Sequence, residues 1–366
     1  MDSILLIVFF TAFGLQMVYW LLMLVSHLRY NPAKNKGDLG EGVSIIVCAN
    51  NEIDNLKKLI PNLLNQDYTE YEIIIVNDRS TDGTYDYLLG IKGDKLKVVN
   101  IDTTPGHLNP KKYAITLAVK SAKYDWMLFT DADCFPQSNR WISSMANGFN
   151  KKSEFVLGYS QYLGRKGVLN ALIRFETRMS GILYTTLAIL GNPYMGVGRN
   201  MAYRKSTFLN HNGFNKYQSI TGGDDDLMVN RYANKGNTLV QMGSDALVWS
   251  VPKLTWLHFL KQKIRHVSIS KFYSFKDKFL LGLYSMCYLL FWYIFAILAV
   301  LNVYPEYVHA TLALRLIILG VLINVTSKTF GERINMWLIP FLELLFVIYL
   351  TTVGICSVFT KKIKWR

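Results

Sequence analysis

Two short acidic clusters stand about ninety residues apart in this chain, Thr130-Asp131-Ala132-Asp133 and Gly222-Gly223-Asp224-Asp225-Asp226-Leu227. The apolar run Trp126-Met127-Leu128-Phe129 leads into the first. An apolar run of that length ending in carboxylates reads as a central strand whose C-terminal edge opens on a ligand crevice. Asp131 and Asp133, one residue apart on the turn leaving that edge, are candidate ligands of a divalent cation, which prefers hard oxygen donors. The second cluster supplies a separate carboxylate, free of the ion, to act as a base. A metal site beside a spare base suits transfer from a nucleotide diphosphate donor.

The flanking pattern names the elements that must position these groups. Residues 43–47, 72–76, 96–101 and 126–129 read as buried strands, and residues 51–65, 82–89 and 111–123 as helices. This alternation predicts an α/β fold with a mostly parallel sheet and right-handed crossovers. Asn51, Glu52, Asp78, Ser80, Asp131 and Asp133 all fall just after strands. That is the carboxyl edge, where such sheets bind ligands. Ser80 and Asp82 suit turn and helix-cap positions.

The chain is also a membrane sequence by composition, 51% hydrophobic and 14% aromatic. Residues 4–25 and 279–301 carry no charge, and residues 336–359 only Glu343. Each run can cross a bilayer core of roughly 30 Å. Residues 312–325 form a shorter candidate span around Arg315. The first run has no basic n-region, so it reads as a retained anchor rather than a cleaved leader. His27, Arg29, Lys34 and Lys36 follow it, which places what comes next in the cytoplasm. Residues 168–190 and 255–278 mix apolar and charged positions and read as helices near the membrane surface. Arg315 and Glu343 would stand near opposite sides of the bilayer and snorkel to the nearest surface. Simple alternation leaves residues 361–366 outside, against the positive-inside tendency; either one segment is interfacial or re-entrant, or the tail breaks the rule. The expected organisation is an anchor (1–28), a linker (29–42), an α/β domain (43–252), interfacial helices (253–278), C-terminal transmembrane helices (279–360) and a basic tail (361–366).

The net charge of +14 gathers beside the membrane segments, which suits an anionic lipid surface. No nucleic-acid-binding motif is present. Cys48, Cys134, Cys287 and Cys356 show no C-x-x-C spacing, so neither a disulfide framework nor structural zinc is expected, and a reducing cytoplasm fits.

Seven segments in order carry a family resemblance: Cys48-Ala49-Asn50-Asn51-Glu52, residues 76–84 around Asp78, residues 109–116 around Lys111, residues 130–133, residues 196–203, residues 222–227 and Gln262-Lys263-Ile264-Arg265-His266. Together they resemble family 2 glycosyltransferases, inverting enzymes with the GT-A fold. The resemblance implies that Ala49, Asn51, Glu52, Asp78, Lys111, Asp131 and Arg265 bind the nucleotide sugar. It further implies that Asp131 and Asp133 hold Mg²⁺ or Mn²⁺, and that Gly198, Arg199, Asn200, Gln262 and His266 meet the acceptor. Asp224 aligns with the catalytic base, with Asp225 as the alternative in a run of three aspartates; Asp226 suits a helix-start carboxylate. Gly223 replaces a frequent Glu, and His266 replaces the Trp of the Q-x-x-R-W motif. Residues 103–110 and 210–223 look like loops that close over the donor. With the anchor and terminal spans, the chain looks like ceramide glucosyltransferase-type enzymes of the inner membrane: multi-pass, cytoplasm-facing, moving a hexose from a UDP-sugar to a lipid or lipid-linked acceptor. A processive polysaccharide synthase is the enzyme alternative, and an inactive nucleotide-sugar-binding membrane subunit the non-enzyme one.

Overall fold

The structure, a computed structural model, describes residues 2–32 and 40–360. Lys34, Lys36 and half of the expected linker (residues 33–39), and the tail 361–366, lie outside the described residues. Helices and strands are numbered along the chain. The chain divides into two units. One combines Asn31–Leu163 with Leu187–Pro252, and the other combines Met1–Tyr30, Gly164–Thr186 and Lys253–Thr360. The expected continuous domain 43–252 is therefore interrupted, because residues 164–186 pack with the apolar helices.

The α/β unit begins with β1 (Val43–Ala49), an apolar strand in the interior of its sheet. It pairs in parallel with β2 (Tyr71–Asp78) on one side and β4 (Trp126–Phe129) on the other. β3 (Leu96–Ile101) extends the parallel set beyond β2. The same seven-stranded sheet continues through β8 (Met201–Arg204), antiparallel to β4, then β6 (Phe155–Leu157) and β9 (Thr238–Val240). α2 (Ile53–Leu64), α3 (Thr84–Leu89) and α4 (Pro110–Ser121) make the crossovers. α2 buries Leu56, Leu59, Ile60 and Leu63 at helical spacing, each contributing roughly 1.5–3 kcal/mol. Asn109 caps α4, its side-chain oxygen accepting from the Lys112 amide, with Pro110 at the first turn.

A second sheet fixes the acidic turn. β5 (Cys134–Pro136) leaves that turn at once and pairs antiparallel with β10 (Val248–Ser250), which runs parallel to β7 (Ser160–Tyr162). Residues 130–133 are thus stretched between two sheets. Their backbone is tied by Thr130 N to Ile46 O at 3.2 Å, Cys134 N to Asp131 O at 3.1 Å and Val251 N to Asp133 O at 3.2 Å. α5 (Trp141–Ala146), α7 (Lys205–Asn210) and α8 (Asp226–Tyr232) complete this unit.

Among the described residues the helical unit contains four helices long and apolar enough to cross a membrane: α1 (Asp2–Arg29), α10 (Phe275–Val300), α11 (Pro305–Phe330) and the segment Met336–Phe359 that holds α12 (Ile339–Phe359). α9 (Trp256–Ile269) is an amphipathic helix, with Trp256 and Leu257 exposed and Phe259 stacked on Tyr349 of α12 at 5.5 Å. Most of α6 (Val168–Ile189) belongs to this unit, and its charged groups find partners within it. Glu176 pairs with Lys263 of α9 and accepts from the Tyr349 hydroxyl at 3.2 Å. Arg178, fully buried, donates to the Glu332 carbonyl at 2.9 Å. Burying such charges is tolerable only when they are paired in this way.

Arg315 and Glu343 do not snorkel apart. Both are fully buried and form an ion pair. The Arg315 Nε also donates to Gln16 Oε1 at 3.1 Å, and the Tyr288 hydroxyl donates to Glu343. Trp20, Tyr288, Phe291 and Trp292 surround the guanidinium at 4.6–5.3 Å. The expectation of opposite sides assumed that α12 starts level with the end of α11. Instead the Met336 methyl packs against Gly320, where an added Cβ would meet it at 2.9 Å. The chain after Phe330 therefore runs back along α11 before α12 begins, which brings Glu343 level with Arg315.

Candidate functional site

The site grows from the C-terminal edge of β1 and β4. Asp131 and Asp133 leave β4 on the strapped turn, and ligand atoms of Asp131, Asp133 and Cys134 lie within 4.8 Å of one another. Two carboxylate oxygens are hard donors and fit a divalent cation of the Mg²⁺ or Mn²⁺ type. Cys134 is fully buried, and burial pushes its thiol well up, so the oxygens are the competent ligands.

Lys111, on the first turn of α4, reaches across this edge. Its Nζ lies 3.3 Å from Asp131 Oδ1 and 3.1 Å from Asp224 Oδ2. Burial works against the Lys111 ammonium, but Asp131, Asp224 and Asp225 overcome it and hold its pKa well above the usual lysine value. The reciprocal effect falls on Asp224. Burial pushes that carboxyl up, yet the Lys111 charge and hydrogen bond outweigh burial and keep it below the ordinary aspartate value.

The second acidic cluster has a backbone reason for its glycines. Gly222 and Gly223 hold φ of 86° and 71°, left-handed values that suit glycine. A glutamate at position 223 would be strained, which accounts for the departure there. Asp225 caps α8, its Oδ1 accepting from Asp226 N at 2.8 Å while Oδ2 accepts from Gly198 N at 2.8 Å. Burial, then the neighbouring Asp224 charge, raises the Asp225 carboxyl. The adjacent aspartates thus have pKa values pushed apart. Gly198 must be small, because a Cβ there would meet Asp225 Oδ2 at 3.1 Å.

Lys111, Asp131, Gly198, Asp224 and Asp225 line one pocket, partly open to solvent, with Cys48, Thr130 and Tyr203 among its other walls. At the ends of β1 and β2 a separate set is stitched together. Asn51, at φ 58°, accepts from Thr81 N at 2.7 Å and gives its own amide to Ser80 Oγ at 2.9 Å. Glu52 accepts from Asn55 Nδ2 at 2.5 Å. Asp78 is buried and held by the Arg79 guanidinium at 2.7 and 3.2 Å. Asp82 accepts from Thr84 N at 3.0 Å and Ile53 N at 3.1 Å, as a turn and cap residue should. The Ala49 side chain belongs to the core, so only its backbone is available to a ligand.

Comparison with known proteins decides what this edge belongs to. The family profile described as "Glycosyl transferase family 2" matches residues 44–210, and that described as "Glycosyl transferase family group 2" matches residues 131–353. The chain is a family 2 glycosyltransferase. Poly-beta-1,6-N-acetyl-D-glucosamine synthase of Staphylococcus epidermidis is 31% identical over 94 residues, 25% of this chain and 22% of that protein. The enzyme of the same name from Staphylococcus aureus is 29% identical over 126 residues, 32% of this chain and 29% of that protein. The chain thus spans less than a third of the length of the curated relatives it matches. Among solved structures, a mannosyltransferase from Pyrobaculum calidifontis in complex with GDP-Man and Mn²⁺ superposes with a TM-score of 0.64 at 17% identity, covering 99% of both chains. That likeness establishes the GT-A fold.

Within this glycosyltransferase one expected acceptor residue is corrected. Asn200 is fully buried, its Oδ1 accepting from Trp141 Nε1 at 3.0 Å and its Nδ2 donating to the carbonyls of Tyr159 and Ala246 at 2.7 Å. With donors and acceptor committed and no exposure, it braces the acidic turn's supporting sheet instead of meeting an acceptor. Arg199 beside it stacks over Tyr162 at 4.5 Å and keeps a buried Nη1 without a partner. Gln262, Arg265 and His266 lie on α9 of the helical unit, where Arg265 Nη2 and His266 Nε2 are 3.3 Å apart.

Two groups beside the site, Cys134 and Lys112, are not among the residues the sequence singles out for chemistry; both are buried.

Proposed function

We propose that this glycosyltransferase transfers a sugar, with inversion, from a nucleotide diphosphate sugar to an acceptor hydroxyl, with Asp224 as general base. The observation that carries the reading is the Lys111 bridge, which places a carboxylate outside the candidate cation-binding pair but in the same pocket as Asp131. Asp224 takes the proton from the acceptor hydroxyl as its oxygen bonds to the anomeric carbon, while the bond from that carbon to the diphosphate oxygen breaks and the nucleoside diphosphate departs. A Mg²⁺ or Mn²⁺ ion held by Asp131 and Asp133 would neutralise charge on that leaving group. Lys111 keeps Asp224 ionised, and Asp225, committed to two backbone amides, orders the loop that carries it.

The sequence relatives are named as synthases of an N-acetylglucosamine polymer. Their names support a UDP-N-acetylhexosamine donor and repeated addition to a sugar chain more than the single transfer expected from the resemblance. A second reading, one transfer to a lipid-borne hydroxyl, is favoured by the helical unit. The space between α1, α10, α11 and α12 is filled by Arg315, Glu343, Gln16 and Trp20, all fully buried, where a polymer would need a path. In both readings the four apolar helices are membrane spans and the α/β unit faces the cytoplasm, where nucleotide sugars are found.

Product length separates the two. Protein in lipid discs would be given radiolabelled UDP-N-acetylglucosamine, Mn²⁺ and a lipid extract, and products sized. A ladder of sugar lengths supports the synthase reading. A single organic-soluble product supports lipid transfer, and its mass names the acceptor.

A further inference from the structure

The residue next to Lys111 is a charged group with no place in the chemistry above. Lys112 is fully buried. Its Nζ donates to the carbonyls of Tyr217 at 2.7 Å and Ile220 at 2.6 Å, and stands 5.1 Å from the Tyr217 ring centre. Both carbonyls belong to the segment just ahead of Gly222-Gly223-Asp224. This is the loop that its composition marks as mobile, yet it is fastened from beneath by a lysine of α4. The rest of the loop is packed by aromatic edges, Phe208 to Phe214 at 5.0 Å and Phe214 to Tyr217 at 5.7 Å, with no strand pairing to hold it. The loop's backbone hydrogen bonds are local turns, so the buried ammonium with two carbonyl acceptors is a polar tie from the loop to a separate element.

We propose that Lys112 is a positioning residue whose buried ammonium latches residues 217–220 to α4, setting where Asp224 stands, so that loss of its charge releases the loop. The inference rests on the reading of Asp224 as base. Successive residues of one helix turn would divide the work: Lys111 holds the carboxylate itself, and Lys112 holds the backbone that delivers it.

The latch is poised to respond to pH. The titratable groups around the Lys112 ammonium are Asp224 and Asp225 on the acidic loop, Tyr217 beneath it, Arg231 of α8 over the Tyr217 ring at 5.3 Å, and Lys111 on its own helix. Burial lowers its pKa to about 8 against the support of Asp224 and Asp225. Below that pH the charged latch is closed; as pH rises through it the neutral amine binds the carbonyls more weakly.

The test uses the full chain in lipid discs and the variants Lys112→Met and Lys112→Arg. Amide hydrogen exchange of residues 213–223 is followed from pH 6.5 to 9.5, corrected for intrinsic rates, together with kcat and KM for the donor. Lys112→Met is expected to exchange this segment faster while β1 and β2 stay protected, and to lose roughly 10- to 100-fold in kcat at little changed KM. Wild type is expected to lose kcat as pH rises through about 8, a limb absent from Lys112→Met and kept at higher pH by Lys112→Arg. Unchanged exchange in Lys112→Met, or a wild-type profile flat through pH 8, overturns the latch. Faster exchange with undiminished kcat overturns the positioning role. Full turnover by Asp224→Asn would remove the base reading instead, and leaves the exchange result to judge the latch alone.

Discussion

Lys111 Nζ stands 3.1 Å from Asp224 Oδ2, and the same nitrogen reaches Asp131. Clusters about ninety residues apart in sequence thus share one counter-ion. Replacing Lys111 by Met removes the charge and hydrogen bond that chiefly oppose burial and leaves a backbone hydrogen bond and the Lys112 charge against it, so the Asp224 pKa is expected to rise. A base must be ionised to accept a proton, so the acid limb of kcat/KM is expected to shift to higher pH in Lys111→Met. A pH profile of both proteins checks this; an unmoved limb separates Lys111 from the base.

Asp131 and Asp133 fit a divalent cation, so removal of metal with a chelator is expected to abolish transfer, and Mn²⁺ or Mg²⁺ to restore it. Asp133→Asn weakens one hard ligand and is expected to raise the Mn²⁺ concentration for half-maximal rate by about tenfold or more. Metal titration of the initial rate reads this directly.

Asp225 differs from Asp224 in having both oxygens on backbone amides. Asp225→Ala removes both acceptors and is expected to cost about 0.5–2 kcal/mol, while Asp225→Asn keeps one accepting oxygen, turns a donor toward the other amide and is expected to lose part of that. Denaturant unfolding of the two variants measures the difference, and substantial transfer by Asp225→Asn would exclude it as the base.

The Arg315–Glu343 pair offers a test in the helical unit. Glu343→Leu alone strands a buried guanidinium and is expected to destabilise by about 3–5 kcal/mol. The double variant Arg315→Met, Glu343→Leu is expected to recover most of that loss, because two apolar side chains of similar volume need no partner. Detergent unfolding of wild type, single and double variants gives the coupling.

The α/β fold was legible because its signals are local. Apolar runs followed by polar residues marked β1, β2 and β4, and the C-terminal ends of those strands and the turns beyond them hold Glu52, Asp78, Asp131 and Asp133. The doubled glycine before Asp224 announced a loop. What stayed hidden depends on closure between distant segments. Asn200 sits in a segment that reads as acceptor-binding, and only the meeting of Trp141, Tyr159 and Ala246 around it commits its amide to the core. Arg315 and Glu343 looked separated because a helix-rise argument cannot foresee the chain doubling back along α11. Lys112 carries the same composition signal as any surface lysine; its burial depends on where the 210–223 loop lands.

The most direct measurement is single-turnover transfer by Asp224→Asn beside wild type and Asp225→Asn, in lipid discs with Mn²⁺ and UDP-N-acetylglucosamine, with donor binding measured in parallel. Asp224→Asn is expected to bind donor normally and lose at least about 100-fold in transfer, the scale of general-base catalysis, while Asp225→Asn keeps most of it. Wild-type transfer rates in Asp224→Asn, or the reverse order of the two variants, would contradict it.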